Sequence, residues 1–284
     1  MDLDLLNTRD VQSHETTAFT SLLIDSRDRD RVRYPTPTEY TIDLPRTLLN
    51  VSEAKLMSAE LPSSFYVFTQ KAKNTTLDLE VDGIRKQVII PDGNYGFATM
   101  TTALKESLES AFADEGHVFT VSTSGTTFKL TIEIDDPSLN MTLFSGDYVG
   151  DTTHWGLPYY LGFERNQAIG SVSGVLQGTR PASLNPITYL LLDIEEFGRL
   201  HESEILGRGG SASTSTFAKV PVNVDSFKFA YFDKAITHNT FSPPIPRLRK
   251  LRISWRLHSG EPVDFQGLDH SMTLQLTFTP IQTH

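Results

Sequence analysis

The sequence predicts a mainly β protein, an antiparallel β-sandwich with a small inserted α+β block that contains one helix. Two runs near the C-terminal end, residues 250–257 and 271–278, alternate strictly between polar and apolar side chains. This period of two is typical of strands with one buried face. The chain contains 17 Phe among its 284 residues, which suits sheets that pack face to face. Only residues 97–113 repeat their apolar side chains at the spacing of an amphipathic helix.

The N-terminal part of the sequence contains strand patterns that are interrupted by prolines. The apolar residues 19–24 predict a first strand, and the alternating residues 40–44 predict a second strand that ends at Pro45. A third strand is expected at residues 51–61 and ends at Pro62. Because proline has no backbone N–H, we expect both prolines to interrupt the sheet.

Residues 75–163 have a different pattern, in which two predicted hairpins flank the predicted helix. The first hairpin turns at Gly83, and Gly116 is the expected stop of the helix. Residues 166–184 are rich in Gly and Ser and have little periodicity, which predicts a linker. Further strands are expected at residues 187–194, 217–222, 227–232 and 237–241.

These patterns divide the chain into four regions. The simplest arrangement joins the two outer strand-rich parts into one sandwich, with the α+β block inserted between them. The predicted regions are a flexible N-terminal arm at 1–17, a β-sandwich formed by 18–70 and 185–284, an inserted α+β domain at 71–165 and a linker at 166–184.

The composition excludes several classes of site. The chain has no cysteine, so it forms neither disulfides nor thiolate metal sites, and it suits a reducing compartment. A net charge of −10 disfavours direct binding to nucleic acid, because phosphate-binding surfaces need clustered positive charge. No run approaches the ~18 apolar residues of a membrane span. Residues 1–17 also lack the apolar centre of a signal peptide.

We find no catalytic, cofactor or metal motif in the sequence. The glycines within 207–210 lack the Lys and the Ser or Thr of a phosphate-binding loop. His201 and Glu204 lack a second histidine at the spacing of a helical zinc site. Asp269 and His270 are compatible with a catalytic dyad or with a capped loop at the start of a strand. We therefore expect no enzymatic activity, no metal and no cofactor.

Two groups of basic residues are candidate partner-binding residues. Alternate residues of an extended chain share one face, so the arginines of the segment 25–33 would present a row of guanidinium groups to a partner's carboxylates. The alternative is a solvated loop whose charges compensate one another. A second basic face is expected on the strand at 250–257, and its alternative is the outward face of an ordinary sheet. The candidate residues are Arg27, Arg29, Arg31, Arg33, Lys250, Arg252 and Arg256.

Two further groups of residues suggest an alternative function. An aromatic group is part of the core, an exposed contact patch or a platform for a sugar ring, and it comprises Trp155, Tyr159 and Tyr160. An acidic group at a predicted strand end comprises Asp193, Glu195 and Glu196. Paired carboxylates perform glycoside hydrolysis, although such a group is also compatible with a charged strand terminus. Together the two groups suggest a carbohydrate-binding or glycan-cleaving β-sandwich, for example a receptor-binding module.

Several short sequence motifs, spread over most of the chain, occur in an order that is informative about the family of the protein. They are Asp25-Ser-Arg-Asp-Arg29, Ser58-Ala-Glu-Leu-Pro62, Ile90-Pro-Asp-Gly-Asn-Tyr95, Phe128-Lys-Leu-Thr131, Leu161-Gly-Phe163, Leu248-Arg-Lys-Leu-Arg252 and Asp264-Phe-Gln-Gly267. In this order they resemble virion structural proteins of the nucleocytoplasmic large DNA viruses, which infect eukaryotes and have double-stranded DNA.

This resemblance implies a minor capsid or penton-type protein with a jelly-roll-like β-sandwich, located in the icosahedral shell of the virion. The implied partners are the major capsid protein, other minor capsid proteins and, in a homo-pentamer, further copies of the chain itself. The resemblance also implies assembly in the cytoplasm of the host cell, and it transfers no catalytic residue to this sequence.

Overall fold

A computed structural model describes residues 17–145, 155–165, 167–198, 216–222, 224, 228–232 and 237–280. Residues 1–16 of the predicted arm, His201, Glu204 and the glycines within 207–210 lie outside the described residues. The described part is mainly β, as predicted, with antiparallel sheets and a small helical insert.

Fourteen strands and three α-helices lie in the described ranges. The strands are β1 (Ala18–Asp25), β2 (Glu39–Pro62), β3 (Thr76–Val81), β4 (Ile84–Ile89), β5 (Phe119–Thr123), β6 (Leu130–Ile134), β7 (Met141–Phe144), β8 (Ala168–Gly170), β9 (Val175–Gln177), β10 (Tyr189–Ile194), β11 (Thr216–Pro221), β12 (Phe229–Phe232), β13 (Thr237–Arg256) and β14 (Ser271–Phe278). The helices are α1 (Phe97–Ala111), α2 (Gly156–Tyr160) and α3 (Glu195–Gly198). None of these helices is long and apolar enough to cross a membrane.

Seven strands form one antiparallel sheet in the order β1-β14-β2-β13-β10-β11, and β12 also pairs with β2. The two ends of this path contribute to one hydrophobic core, because Ile24 of β1 and Phe217 of β11 belong to the same cluster of buried side chains. The sheet therefore folds over on itself and forms a β-sandwich of the jelly-roll kind. Every second residue of β14, from Met272 to Phe278, is buried in this core, as its alternation predicts.

The long strands β2 and β13 pair along most of their length. The prediction that Pro45 ends a strand was wrong, because β2 continues from Glu39 to Pro62. The pairing register shifts between Leu248 and Lys250, so residues 44–47 of β2 form a bulge opposite a single residue of β13. A bulge accommodates proline because the ladder does not need the missing N–H there.

The other strands form two small sheets, β4-β3-β7-β8 and β5-β6-β9. Helix α1 contacts β4 and β5, and it buries Met100, Leu104 and Leu108 in a second hydrophobic core. The apolar spacing predicted this helix closely. The division into domains stays a prediction. β8 and β9 lie within residues 166–184, where three residues per strand are too few to produce a visible period.

Candidate functional site

Arg29 holds the segment between β1 and β2 in place. A 3-10 helix at Ser26–Asp28 turns the chain after β1, so this segment is not the extended ribbon that its alternating sequence predicts. The Arg29 guanidinium donates to the carbonyls of Ser26 (2.7 Å) and Tyr34 (3.0 Å) and to the carboxylate of Asp269 (2.5 Å). Only 3% of the Arg29 side chain is exposed, compared with 71% for Arg27. Arg29 is therefore buried and makes contacts within the chain, whereas Arg27 lies at the surface.

Asp269 and His270 also help to hold the segment between β1 and β2 in place. They are not hydrogen-bonded to each other as a catalytic dyad. The Nε2 atom of His270 donates to the Pro37 carbonyl at 3.0 Å, and burial lowers the pKa of His270 to about 4. Burial raises the pKa of Asp269, but hydrogen bonds from Ser26 and Arg29 outweigh it and hold that pKa below its usual value. This geometry fits the interpretation of a capped loop before β14.

One cleft, which we call the charged cleft, brings together four of the seven candidate partner-binding residues. It lies beside the paired strands β2 and β13 and has a volume of about 850 Å³. Arg27 and Arg31 lie outside its lining. Its charged lining residues are Asp30, Arg33, Glu39, Asp43, Asp193, Glu195, Lys250, Arg252 and Arg256.

The acidic residues at the end of β10 pair with the basic residues of β13. The strands are antiparallel neighbours, so the Nε atom of Arg256 reaches Oδ2 of Asp193 at 3.0 Å. Arg252 forms an ion pair with Glu195, and a hydrogen bond joins the Arg252 backbone N–H to the Glu196 carboxylate at 2.8 Å. The two sequence features therefore neutralise each other. Among the described residues, Lys250 has no ion pair.

A second cleft, which we call the aromatic cleft, lies between the two hydrophobic cores and has a volume of about 840 Å³. Its described lining includes seven aromatic side chains that come from four segments of the chain: Phe65, Tyr66, Trp155, Tyr159, Tyr160, Tyr189 and His258. The structure does not bring the predicted aromatic group to the predicted acidic group, because Asp193 and Glu195 line the charged cleft instead. In the part of the chain that the structure describes, no three His, Asp or Glu side chains cluster as metal ligands.

The aromatic rings of α2 are positioned by close packing with the chain that follows β9. Trp155 and Tyr159 pack at right angles with their ring centroids 4.4 Å apart. The Arg180 guanidinium lies over the Tyr159 ring, 4.4 Å from its centroid. Gly162 permits this approach, since it has a φ of +92° and any Cβ there would lie 2.3 Å from the Arg180 carbonyl oxygen.

β1 is an exposed edge strand, a feature that the sequence analysis missed. Within the described residues it pairs only with β14, in unbroken register from Ala18 to Asp25. Phe19 and Leu23 project outward, and 84% of Leu23 is exposed. The strand lacks the lysine, proline or bulge with which proteins commonly protect a sheet edge. The signal available in the sequence was that β1 has apolar residues on both faces, because the outward face of a strand is usually polar.

Comparisons with known proteins give a family match and a structural likeness. Residues 1–179 match a family described as a family of unknown function, DUF5901. No curated protein matches the chain. Among solved structures, the crystal structure of the mavirus penton protein is similar, with a TM-score of 0.51 and 12% sequence identity. That match covers 92% of this chain and 99% of the penton chain, and at this identity it shows a shared fold.

Proposed function

The chain belongs to the DUF5901 family, whose function is unknown, and from this premise we propose that it is a non-enzymatic structural component of an icosahedral virus capsid. The observation that carries the proposal is the fold shared with the mavirus penton protein. Because the match covers 92% of this chain, it includes most of both the sandwich and the smaller α+β unit. The pairing of Asp193 and Glu195 with arginines supports a non-enzymatic role, because these carboxylates are engaged in ion pairs.

More specifically, we propose that the chain is a penton or another minor capsid protein of a large double-stranded DNA virus. Its proposed partners are the major capsid protein, other minor capsid proteins and four further copies of the chain in a homo-pentamer. Its proposed location is the virion, with assembly in the cytoplasm of the host cell. The motifs at residues 25–29, 58–62 and 248–252 support these assignments by their resemblance to such proteins.

The edge of β1 is the proposed contact between copies. Its backbone can extend the sheet of a neighbour, and burial of Leu23 and Phe19 in that contact would remove apolar surface from water. A contact between β1 and a different surface of the next copy is heterologous, and such contacts close into rings when the rotation permits.

The partner-binding residues stay proposals, with different roles for different side chains. Arg27 and Arg31 are exposed beside β1, and Lys250 lies in the charged cleft. These residues suit acidic surfaces of the other capsid proteins. Arg33, Arg252 and Arg256 line the same cleft, whereas Arg29 is committed to internal contacts.

The direct test of the capsid role is the protein content of purified particles of the virus that encodes the chain. We expect quantitative mass spectrometry to find the chain in a fixed ratio to the major capsid protein. Gold-labelled antibodies should then mark the vertices of opened particles. Absence of the chain from purified particles would contradict a structural role, and labelling along the facets alone would contradict a penton.

A further inference from the structure

We propose that the aromatic cleft is a binding site for a neutral oligosaccharide. The cleft lies between the sandwich core and the core of the α+β unit, where it is distinct from both the edge of β1 and the charged cleft. Its volume of about 840 Å³ lies within the usual range of sites for small ligands, roughly 300–1,000 Å³. This inference goes beyond the capsid role, and its failure would leave that role standing.

The aromatic side chains supply the stacking surface that a sugar ring needs. The C–H groups of a pyranose carry partial positive charge, and the faces of aromatic rings carry partial negative charge. Tyr66 is exposed at the cleft, and Trp155, Tyr159 and Tyr189 are partly exposed along it. Large apolar rings that stay half in contact with water gain free energy when a ligand covers them.

The rings are held in position before any ligand arrives. On one wall, the packing of Trp155 against Tyr159 and the position of Arg180 over Tyr159 restrain α2. Elsewhere in the lining, the Tyr189 hydroxyl and the Nδ1 atom of His258 are joined by a hydrogen bond of 2.7 Å. A preorganised site pays less conformational entropy on binding.

Polar groups around the same cleft match the hydroxyl groups of a sugar, which both donate and accept hydrogen bonds. Carboxylate acceptors are provided by Glu261 and Asp264, and amide and hydroxyl groups by Asn185 and Ser183. Burial, together with the neighbouring Tyr159, raises the pKa of Tyr160, so its phenol stays protonated and can donate. The cleft therefore combines ring faces with both kinds of hydrogen-bonding group.

The charge of the cleft favours a neutral ligand over an anionic one. Two cationic side chains line it, Lys71 and Arg180, against three carboxylates, Asp92, Glu261 and Asp264. Lys71 lies 3.9 Å from Glu261, and Arg180 stacks on Tyr159 and donates to the Phe163 carbonyl at 2.9 Å. Among the described residues that line the cleft, both cations are therefore engaged, and a phosphate, a nucleotide or a sialic acid would need a free one.

The two tryptophans of the chain make this inference measurable by fluorescence. Trp155 lines the aromatic cleft, whereas Trp255 is fully buried in the sandwich core. We would titrate the full chain with oligomers of glucose, mannose, galactose and N-acetylglucosamine, and with sialyllactose and a proline-rich peptide as competitors of other chemistry. We expect at least one neutral oligomer to change the emission saturably, and sialyllactose and the peptide to leave it unchanged.

Three variants connect the signal to the cleft. Trp155→Phe should abolish the emission change and leave the Trp255 emission in place. Tyr66→Ala removes an exposed ring, so it should weaken binding measured by calorimetry about tenfold, the equivalent of one stacking contact. Tyr231→Ala is the matched control, because it removes an exposed ring of β12 that lies outside the cleft lining, and it should bind as the native chain does.

Three results would overturn the inference. They are no binding of any neutral oligomer at millimolar concentration, binding that Tyr66→Ala leaves unchanged, and binding of only sialyllactose or only the peptide.

Discussion

Arg29 is the residue that ties the segment between β1 and β2 to the loop before β14. Its guanidinium has donors directed at Ser26, Tyr34 and Asp269, and water reaches little of it. Removal of this buried guanidinium should lower the stability of the fold, because the acceptors are left without a partner in a poorly solvated site.

We therefore predict that Arg29→Ser lowers the free energy of unfolding by about 3 kcal/mol, the usual loss when one partner of a buried ion pair is removed. Arg27→Ser is the matched control. Arg27 is two residues away and its side chain is largely exposed, so this substitution should leave the unfolding curve unchanged. Urea denaturation of both variants measures the difference. Equal stability of the two variants would contradict the internal role of Arg29.

His270 makes the stability of the sandwich depend on pH. Burial among the rings of Tyr40, Trp255 and Phe265 holds its pKa at about 4, below the usual value of 6.5. Between these values the unfolded chain binds a proton that the folded chain does not, so folding loses stability as the pH falls. The charged groups that act on the ring are Asp25, Arg29 and Asp269.

We predict that the free energy of unfolding is constant above about pH 6.5 and falls by on the order of 3 kcal/mol between that pH and pH 4. Urea denaturation at half-unit pH steps gives the profile. His270→Gln should be less stable at pH 7 but should have a flatter profile. His258→Gln changes a histidine at the surface and should keep the native slope. A native slope in His270→Gln would assign the pH dependence to other groups.

At the scale of elements, β1 differs from the strand at the other end of the large sheet. β11 carries Lys219 and Pro221, which discourage pairing with another chain. β1 has neither residue type and presents Phe19 and Leu23 to solvent. This difference makes β1 the less protected of the two edges in the described sheet, and it is why we propose β1 as the contact between copies.

We predict that Leu23→Lys prevents association of the chain with itself, because it places a charge in the apolar contact. The isolated fold should keep its melting temperature, since 84% of Leu23 is exposed in the single chain. Val172→Lys is the matched control, because Val172 is an apolar residue of similar exposure, 77%, between β8 and β9 of the small unit. Sedimentation velocity compares the two. Normal association of Leu23→Lys would exclude β1 as the contact.

The elements that the sequence predicted well are those whose pattern has a single physical cause. β14 and α1 each bury one face, so their periods of two and of three to four are undisturbed. The continuity of β2 was not predictable from local rules, because the bulge that accommodates Pro45 depends on pairing with β13, about 200 residues away in the sequence. The short strands β8 and β9 are defined by their partners rather than by their own pattern.

At the scale of the whole molecule, the described chain has two hydrophobic cores, and residues from both of them line the aromatic cleft. The residue types of the candidate sites were visible in the sequence, but their grouping was not. The acidic group at 193–196 and the basic face of β13 meet because β10 and β13 are antiparallel neighbours. The periodicity of a sequence does not indicate which strands become neighbours in the sheet.

We propose that this chain is a capsid subunit that assembles with copies of itself through β1. The mass of the purified full chain in solution, measured by multi-angle light scattering across protein concentration and salt, tests this proposal. We predict a pentamer that persists at high salt, because the proposed contact is apolar and ionic screening weakens mainly exposed charge pairs. A monomer at every concentration and salt would contradict it.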